Sequence, residues 1–539
     1  MPVDPVTDLA AEVHAAASGL VEGDVAPPAL ERPPKAELGD YSTNAAMMLT
    51  RSLGQQPREI AEQLGQVLSE RLGDQLDRVE VAGPGFLNLF MSDAWYAGVV
   101  AAVAGAEDYG RGAQYARVNV EFVSANPTGP ITVASARHAA YGDSLARVLE
   151  LAGNDVEREY YVNDFGTQIQ RFGESLSARA RGQEPPEDGY QGEYVTELAA
   201  RVDGAADMAP EELGRRGVEL MLEEIEATLG RFGVHMDKYA RESATHDADA
   251  VQAAIAQLRE AGHIYEQDGA TWLRTTTFGD DKDRVLVRST GEVTYFAADI
   301  PYHWTKHERG YGLSILVVGA DHHGYQSRVA AAWEAMGGDP AGFEVVIMQL
   351  VNLLEGGVRA QMSKRAGAIV ALDDLLDDIG VDATRWYLLQ RSHETAIDLD
   401  LELARRQSQD NPVYYAQYAH ARIASILRKA GDDRVAAALA ADVAASAEQL
   451  HPSARALVKR LAAFPGEVLH AADRRAPHRM TTYVTELAQD FSAFYRDCKV
   501  VGAAEEGGDE DLRIALSEVT RRTIERSLAL LGVSAPDAM

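Results

Sequence analysis

Two stretches of this chain place phosphate-binding chemistry at the start of a helix and on a loop. In NPTGPITVASARHAAYGD, residues 126–143, a Pro-Gly turn ending at Pro130 runs into a helix whose first turn holds Thr132, Ala134 and Ser135. A helix start gathers unpaired N–H groups and the positive end of the helix dipole, so it favours an anion. The hydroxyls of Thr132 and Ser135 are further donors. The segment has no Gly-Lys-Ser phosphate loop, and its one histidine, His138, comes later in the helix. In MSKRAG, residues 362–367, Lys364 and Arg365 follow Met362 and Ser363 on a Gly-rich loop. A lysine on such a loop acts as a point charge that follows phosphates as they separate. A third stretch, GADHHGYQ, puts Asp321, His322 and His323 at a strand end. Two histidines beside an aspartate invite a metal. Neighbours on an extended strand point to opposite sides, however, and no third ligand is in sequence reach, so no metal site is expected.

These residues need a scaffold that brings distant segments to one edge. VNVEFVSAN reads as a short apolar strand, the 126–143 stretch as a turn and helix, and EREYYVND as a second strand. That succession predicts a doubly wound parallel sheet of the Rossmann kind, whose ligands sit beyond the carboxyl ends of its strands. The alternation returns in VTYFAADI, LSILVVGADHHGYQ and FEVVIMQLVNL, with the Lys364 loop after the last of these. Residues 170–265 read as a mostly helical, acidic insertion in a catalytic domain spanning 116–400. Residues 1–108 form a separate α/β unit: PREIAEQLGQVLSERL has helical periodicity, and VEVAGPGFLNLFMS reads as two strands about a Gly-Pro-Gly turn. From 401 to 539 the chain reads as an all-α domain, with Asn411 as N-cap and Pro412 at the first helical position of its opening helix.

Composition narrows the classes. With 539 residues the chain is long enough for three or four domains, and its single cysteine, Cys498, excludes a disulfide framework and points to a reducing compartment. The N-terminus carries no basic segment followed by an apolar run, and no apolar stretch approaches the ~18 residues of a membrane span. The protein is therefore expected to be cytoplasmic, with no membrane partner. The net charge is −32, from 83 acidic against 51 basic residues. Taken alone that argues against nucleic acid, which selects basic surfaces. It fits either a protein solvated for a salty cytoplasm or a GC-rich genome, so local motifs have to identify the partner.

Those motifs resemble a family. A Pro-Gly helix start on the first strand, with a Met-Ser-Lys loop after the last, is similar to the two signatures of class I aminoacyl-tRNA synthetases. VEFVSANPTGP, ARHAAYGDSLARVLELAG, YVNDFGTQI, TYFAADIPYH, VVGADHHGYQSR, MSKRAGAIVALDDLL, RWYLLQRSHETAIDLDLELA and DNPVYYAQYAHARI resemble, in order, the arginyl-tRNA synthetases. GDYSTNAA and VAGPGFLN resemble that family's N-terminal domain, and LLGVSAPDAM its ending. The resemblance implies activation of L-arginine by ATP, with Mg²⁺, to arginyl-adenylate. Transfer to the 3′ end of tRNA(Arg) follows, and the tRNA is bound before activation. A monomer is expected.

The resemblance also assigns residues. Pro130, Thr132, Ala134, Ser135, Asp321, His322, His323, Met362, Ser363, Lys364 and Arg365 match the ATP site, with Lys364, Thr132 and Ser135 catalytic. Where the family has histidines at the helix start this chain has Thr132 and Ser135, with Ala134 for glycine. Gln361 replaces the first loop lysine and Arg365 the final serine, while Lys364 is retained. Arginine has a guanidinium with five donors, which calls for a carboxylate. Asp299 matches that carboxylate, with Tyr295 one helical turn earlier. Glu121, Ser124, Asn126 and Gln326 match other arginine contacts. Gly142 is expected to permit close helix–strand packing. Tyr414, Tyr418 and Arg422 match the anticodon-binding domain, where stacking on unpaired bases is the expected mode. The changed helix start leaves one alternative: an arginine- or tRNA-binding paralogue that has lost adenylation.

Overall fold

The computed structural model describes residues 3–245, 248–322, 324–359, 370–446 and 449–539. The N-terminal unit is a four-stranded antiparallel sheet of Leu30–Glu31, Tyr41–Thr43, Leu76–Ala82 and Phe86–Met91. The last two strands flank the Gly-Pro-Gly turn, and the periodic segment forms the helix Pro57–Leu72 with Ile60, Leu64 and Leu68 facing the core. Gly85 is required where it stands: its φ is 142°, and a Cβ there would lie 2.8 Å from Pro57 at the helix start.

The catalytic unit is a five-stranded sheet. Its strands are β1 (Arg117–Glu121), β2 (Asp155–Val162), β3 (Lys238–Arg241), β4 (Leu313–Gly319) and β5 (Phe343–Met348). They lie in the order β5-β4-β1-β2-β3, and every pairing is parallel. The order reverses between β1 and β4, so the crevice beyond their carboxyl ends is the binding position of a doubly wound sheet. β3 lies within the range that reads from sequence as a helical insertion. Its four residues, KYAR, are too few to show a period and carry two charged side chains, so only pairing with β2 identifies them as a strand. The helices of the insertion are Thr167–Ala180, Glu193–Ala200 and Pro210–Arg231, followed beyond β3 by the short Glu242–Thr245, Ala248–Glu260 and a small antiparallel sheet over residues 264–287.

Three catalytic-domain helices matter to the site: α1 (Val133–Leu151), α2 (Tyr295–Glu308) and α3 (Leu372–Leu389). α1 packs against β1 so closely that a Cβ on Gly142 would come within 2.2 Å of Phe122, the close packing the glycine implies. A parallel pair, Val351–Glu355 with Ile397–Asp400, follows β5, and Val358–Arg359 adds an antiparallel strand. The C-terminal unit is helical, opening with α4 (Pro412–Ala430) and closing with α5 (Glu510–Leu531). Pro412 occupies the first position of α4, but Asn411 does not cap it with its side chain. Its amide donates instead to the carbonyls of Ala404 and Arg406, at 3.1 and 2.8 Å, and its oxygen accepts from Tyr387 at 3.2 Å. Burial at the domain junction offers those backbone acceptors, and they win over the helix end. The segment between the N-terminal and catalytic units is pinned: Tyr109 donates to the Leu461 carbonyl at 2.6 Å, and Arg526 donates to the Tyr109 carbonyl. Among the described residues no helix is long and apolar enough to cross a membrane.

Candidate active site

β1 delivers the chain to the crevice through two strained residues. Val123 and Ser124 have φ of 69° and 42°, left-handed values that cost a β-branched residue most. Such strain persists only where the surroundings hold it. Here the Ser124 Oγ accepts from the Tyr161 N–H at 3.2 Å, and Tyr160 at the end of β2 donates to the Ala125 carbonyl at 2.7 Å. Asn126 and Pro130 are exposed on the turn that follows.

α1 then begins at the edge. Thr132 is its N-cap: the Oγ1 accepts from the Ser135 N–H at 3.3 Å and lies 3.3 Å from the Ser135 Oγ. One of these two hydroxyls donates to the other, so the pair keeps one hydroxyl proton for a ligand. The Val133 N–H donates to the Val370 carbonyl at 3.2 Å, and the Leu372 N–H donates to the Ile131 carbonyl at 2.7 Å. Among the described residues, the N–H of exposed Ala134 alone in this first turn meets no protein acceptor. The helix start therefore presents one N–H and one free hydroxyl proton, a narrower donor set than an open helix end. The same hydrogen bonds clip the segment after the lysine loop onto this helix start. Met362, Ser363, Lys364 and Arg365 themselves, like His323, lie outside the described residues. Behind α1's first turns, buried Arg137 donates to the carbonyls of Gln349 (2.5 Å), Ser392 (3.0 Å) and Thr395 (2.8 Å), locking the helix to the chain beyond β5.

β4 ends at Gly319, and the next turn carries Asp321 and His322, both exposed and 3.6 Å apart. A Cβ at Gly319 would sit 2.6 Å from the Asp321 Oδ1 and 3.6 Å from the His138 Cε1, so α1, β4 and this turn meet at the switch point. Burial holds the His138 imidazole down at about 4, which keeps it neutral. Among the described residues no three His, Cys, Asp or Glu side chains converge as metal ligands.

Asp299 stands one turn into α2, half-buried, and its Oδ2 accepts from the Tyr325 hydroxyl at 3.0 Å. Tyr295, at the first position of α2, is 72% exposed above it. Gln326 is exposed, with its amide 3.4 Å from the Val345 carbonyl. Glu121 is buried at the end of β1, and its Oε2 accepts from Tyr302 at 2.7 Å and from buried Lys306. Tyr302 also lies 3.0 Å from Glu159 on β2, and Arg309 donates to that carboxylate at 2.7 Å. Tyr325, His303, Tyr302 and Lys306 were not picked out from the sequence. Their signal was present: Asp299, Tyr302 or His303, and Lys306 recur at helical spacing on the face of α2 that packs on the sheet. A hydrophobic-period search passes over a buried polar face.

Tyr414 and Tyr418 stack on α4 with ring centroids 6.3 Å apart and planes 9° apart, both half-buried. The exposed Arg422 lies over the Tyr495 ring at 4.8 Å. Tyr415 and His420 belong to the helical packing: Tyr415 lies 3.4 Å from the Ser492 hydroxyl, and buried His420 bonds the Pro536 carbonyl at 3.0 Å.

The sheet order, the helix start at its switch point and the helical C-terminal unit define a class I aminoacyl-tRNA synthetase. Residues 196–423 match the family model described as tRNA synthetases class I (R), catalytic domain. Residues 7–91 match the arginyl tRNA synthetase N terminal domain, and residues 416–539 the DALR anticodon binding domain. The chain is 47% identical over 526 residues to the arginine–tRNA ligase of Frankia alni, covering 95% of this chain and 94% of that protein. It is 34% identical to the Campylobacter jejuni structure described as an arginyl-tRNA synthetase, with a TM-score of 0.76 over 83% of this chain and all of that one. The Thermus thermophilus arginyl-tRNA synthetase shares the fold, with a TM-score of 0.77 at 24% identity over 99% of this chain and all of that one. The chain belongs to the arginyl-tRNA synthetases.

Proposed function

We propose that this arginine–tRNA ligase binds its amino acid between α2 and the carboxyl ends of β1 and β2, and ATP between α1 and β4. The ionised carboxylate of arginine attacks the α-phosphate of ATP. The bond to pyrophosphate breaks, and arginyl-adenylate forms. The arginyl group then passes to the 3′ end of tRNA(Arg), and AMP leaves.

The observation that carries this reading is the placement of Asp299. Its carboxylate accepts from the Tyr325 hydroxyl on the segment that follows β4, and Gly319, at the end of β4, lies beside His138 on α1, where an added Cβ would come within 3.6 Å of the ring. The acid and the phosphate-side helix start are thereby joined through one short stretch of chain. In this reading Asp299 accepts the guanidinium, with Tyr295 closing over it and Ser124, Asn126 and Gln326 at the rim. Glu121, held by Lys306 and Tyr302, sets the charge beneath the amino acid. Thr132, Ser135 and the Ala134 N–H meet the phosphates beside Pro130. Asp321, His322 and His323 line the adenosine. Met362, Ser363, Lys364 and Arg365, which the family resemblance assigns to ATP, serve its phosphates, with Lys364 compensating charge on the leaving pyrophosphate. Among the described residues no three His, Cys, Asp or Glu side chains converge, so Mg²⁺ would enter as a companion of ATP, held mainly by the nucleotide's phosphates, whose charge it would offset.

Tyr414, Tyr418 and Arg422 present aromatic and cationic surface to the anticodon arm, where stacking is less weakened by salt than phosphate pairing. The enzyme works as a cytoplasmic monomer, with domain limits near 108, 116–400 and 401.

The test is arginine-dependent exchange of pyrophosphate into ATP with tRNA present. Robust exchange that Lys364→Ala lowers mainly through kcat supports the assignment. Exchange no higher than background at any KCl concentration overturns it.

A further inference from the structure

We infer that Tyr325 and His303 are positioning residues that orient the Asp299 carboxylate toward the guanidinium, and so determine selectivity for a cationic amino acid. The inference rests on Asp299 being the guanidinium acceptor, as proposed above.

Two hydrogen bonds form a relay. The Tyr325 hydroxyl lies 3.0 Å from the Asp299 Oδ2 and 3.2 Å from the His303 Nε2. A phenol has one proton, and an ionised carboxylate only accepts, so Tyr325 donates to Asp299. The phenol oxygen then accepts from His303, which fixes that imidazole as the Nε2–H tautomer. The remaining nitrogen, Nδ1, is buried with no hydrogen-bond partner among the described residues. This agrees with the assignment, since the group left alone is a lone pair and not an N–H; the opposite tautomer would bury an orphan donor and take the phenol proton away from the acid.

Both relay members stay neutral. Burial pushes the His303 imidazole well below its ordinary value, helped by Lys306, and burial, then Asp299, pushes the Tyr325 phenol well above. The ring of His303 sits among Tyr302, Tyr325 and Phe343. Asp299 and His303 line one hollow with Phe296, Trp304, Val329 and Trp333, so the relay is backed by mostly apolar side chains. A carboxylate on a helix turn rotates readily about its last bond. Pinning one oxygen sets the plane in which a planar guanidinium can form two parallel hydrogen bonds, and a neutral urea analogue has no charge with which to compensate a poor fit.

The experiment uses the full-length enzyme and pyrophosphate exchange with tRNA, comparing arginine with citrulline. Tyr325→Phe removes one oxygen. It is expected to raise the KM for arginine about tenfold, the worth of one hydrogen bond to a charged group, and to narrow the margin over citrulline. The KM for ATP and the melting temperature stay near their starting values. His303→Phe is expected to give the same shift, the double variant no more than Tyr325→Phe alone, and His303→Gln, whose amide offers a donor again, a partial return. A KM for arginine within about twofold of the starting value in Tyr325→Phe overturns the relay. Asp299→Asn separates the two levels. If it raises the KM while Tyr325→Phe does not, the relay falls and the pocket stands; if it leaves the KM unchanged, the pocket assignment and the relay fall together.

Discussion

Arg385 is the residue whose loss should loosen the most structure at once. It is fully buried on α3, beyond the Val370 and Leu372 backbone groups that clip onto the α1 start, and it ties three other parts of the chain together. Its Nε donates to the Leu531 carbonyl at the end of α5 (2.7 Å), Nη1 to the Phe232 carbonyl after the insertion helix (3.1 Å), and Nη2 to Asp143 on α1 (2.5 Å). Arg385→Met keeps the length and removes the charge. Two carbonyls lose their donor, at about 1–3 kcal/mol each where they stay buried. Breaking a buried ion pair adds about 3–5 kcal/mol when the partner is left alone. Here Asp143 keeps Arg147 at 2.8 Å and Arg158 at 3.6 Å, so that part shrinks. A loss of about 4–6 kcal/mol results, which at about 2 cal/mol/K of unfolding entropy per residue lowers the melting temperature by about 4–10 °C, according to whether the whole chain or the catalytic unit alone unfolds. Differential scanning calorimetry reads it directly. A drop smaller than about 3 °C would refute the claim that Arg385 holds these elements together.

The remaining expectations concern the same crevice. Asp299→Asn should raise the KM for arginine sharply while the KM for ATP changes little, as measured by pyrophosphate exchange. Gly142→Ala forces a methyl into the Phe122 ring, so it should destabilise by about 1–3 kcal/mol and depress exchange by shifting the end of β1; unchanged melting and rate would show that the contact relaxes freely. Thr132→Ala removes the cap of α1 and a phosphate donor, at about 1 kcal/mol of stability in thermal melts and a loss in kcat beyond that. Introducing His at Thr132 and Ser135 together sorts the site: a falling exchange rate marks the hydroxyl pair as an adapted site, and a large rise marks an impaired one. In acid, burial works to raise the Asp143 carboxyl, but Arg385, Arg147 and Arg158 bring it below its ordinary value. A depressed carboxyl contributes fully above ~3.9 and loses its contribution as pH falls through the folded value. The melting temperature should therefore fall steeply below pH ~4 in the natural enzyme and less steeply in Arg385→Met.

Much of the architecture was readable because local patterns dominate it. PREIAEQLGQVLSERL has its apolar residues at helical spacing and became the helix Pro57–Leu72, and the Gly-Pro-Gly turn split its two strands as read. VNVEFVSAN and LSILVVG carry the apolar runs of strands buried on both faces, and both lie in the parallel sheet, as does the more polar EREYYVND. β3 escaped because four residues with two charges show no period. Asn411 has the composition of an N-cap, yet it bonds to the segment before it, since a buried amide takes whichever acceptors its neighbours present.

The sequence by itself determined which residue types stand at the edge of the sheet: Thr132 and Ser135 at a helix start, Asp299 and Tyr295 one turn apart, and a charged face on α2. It also determined the family, through many short phrases in one order. Tertiary structure decided how those groups are held. It turned Thr132 into a cap bonded to Ser135, left the Ala134 N–H facing outward, paired Glu121 with Lys306, and brought Tyr325 from beyond β4 onto Asp299. Periodicity is a property of neighbouring residues and survives in a string of letters. Hydrogen-bond direction and ion pairing depend on segments far apart in the chain, and these acquire meaning only when packing removes water and leaves each buried donor or acceptor the partners that happen to be within reach.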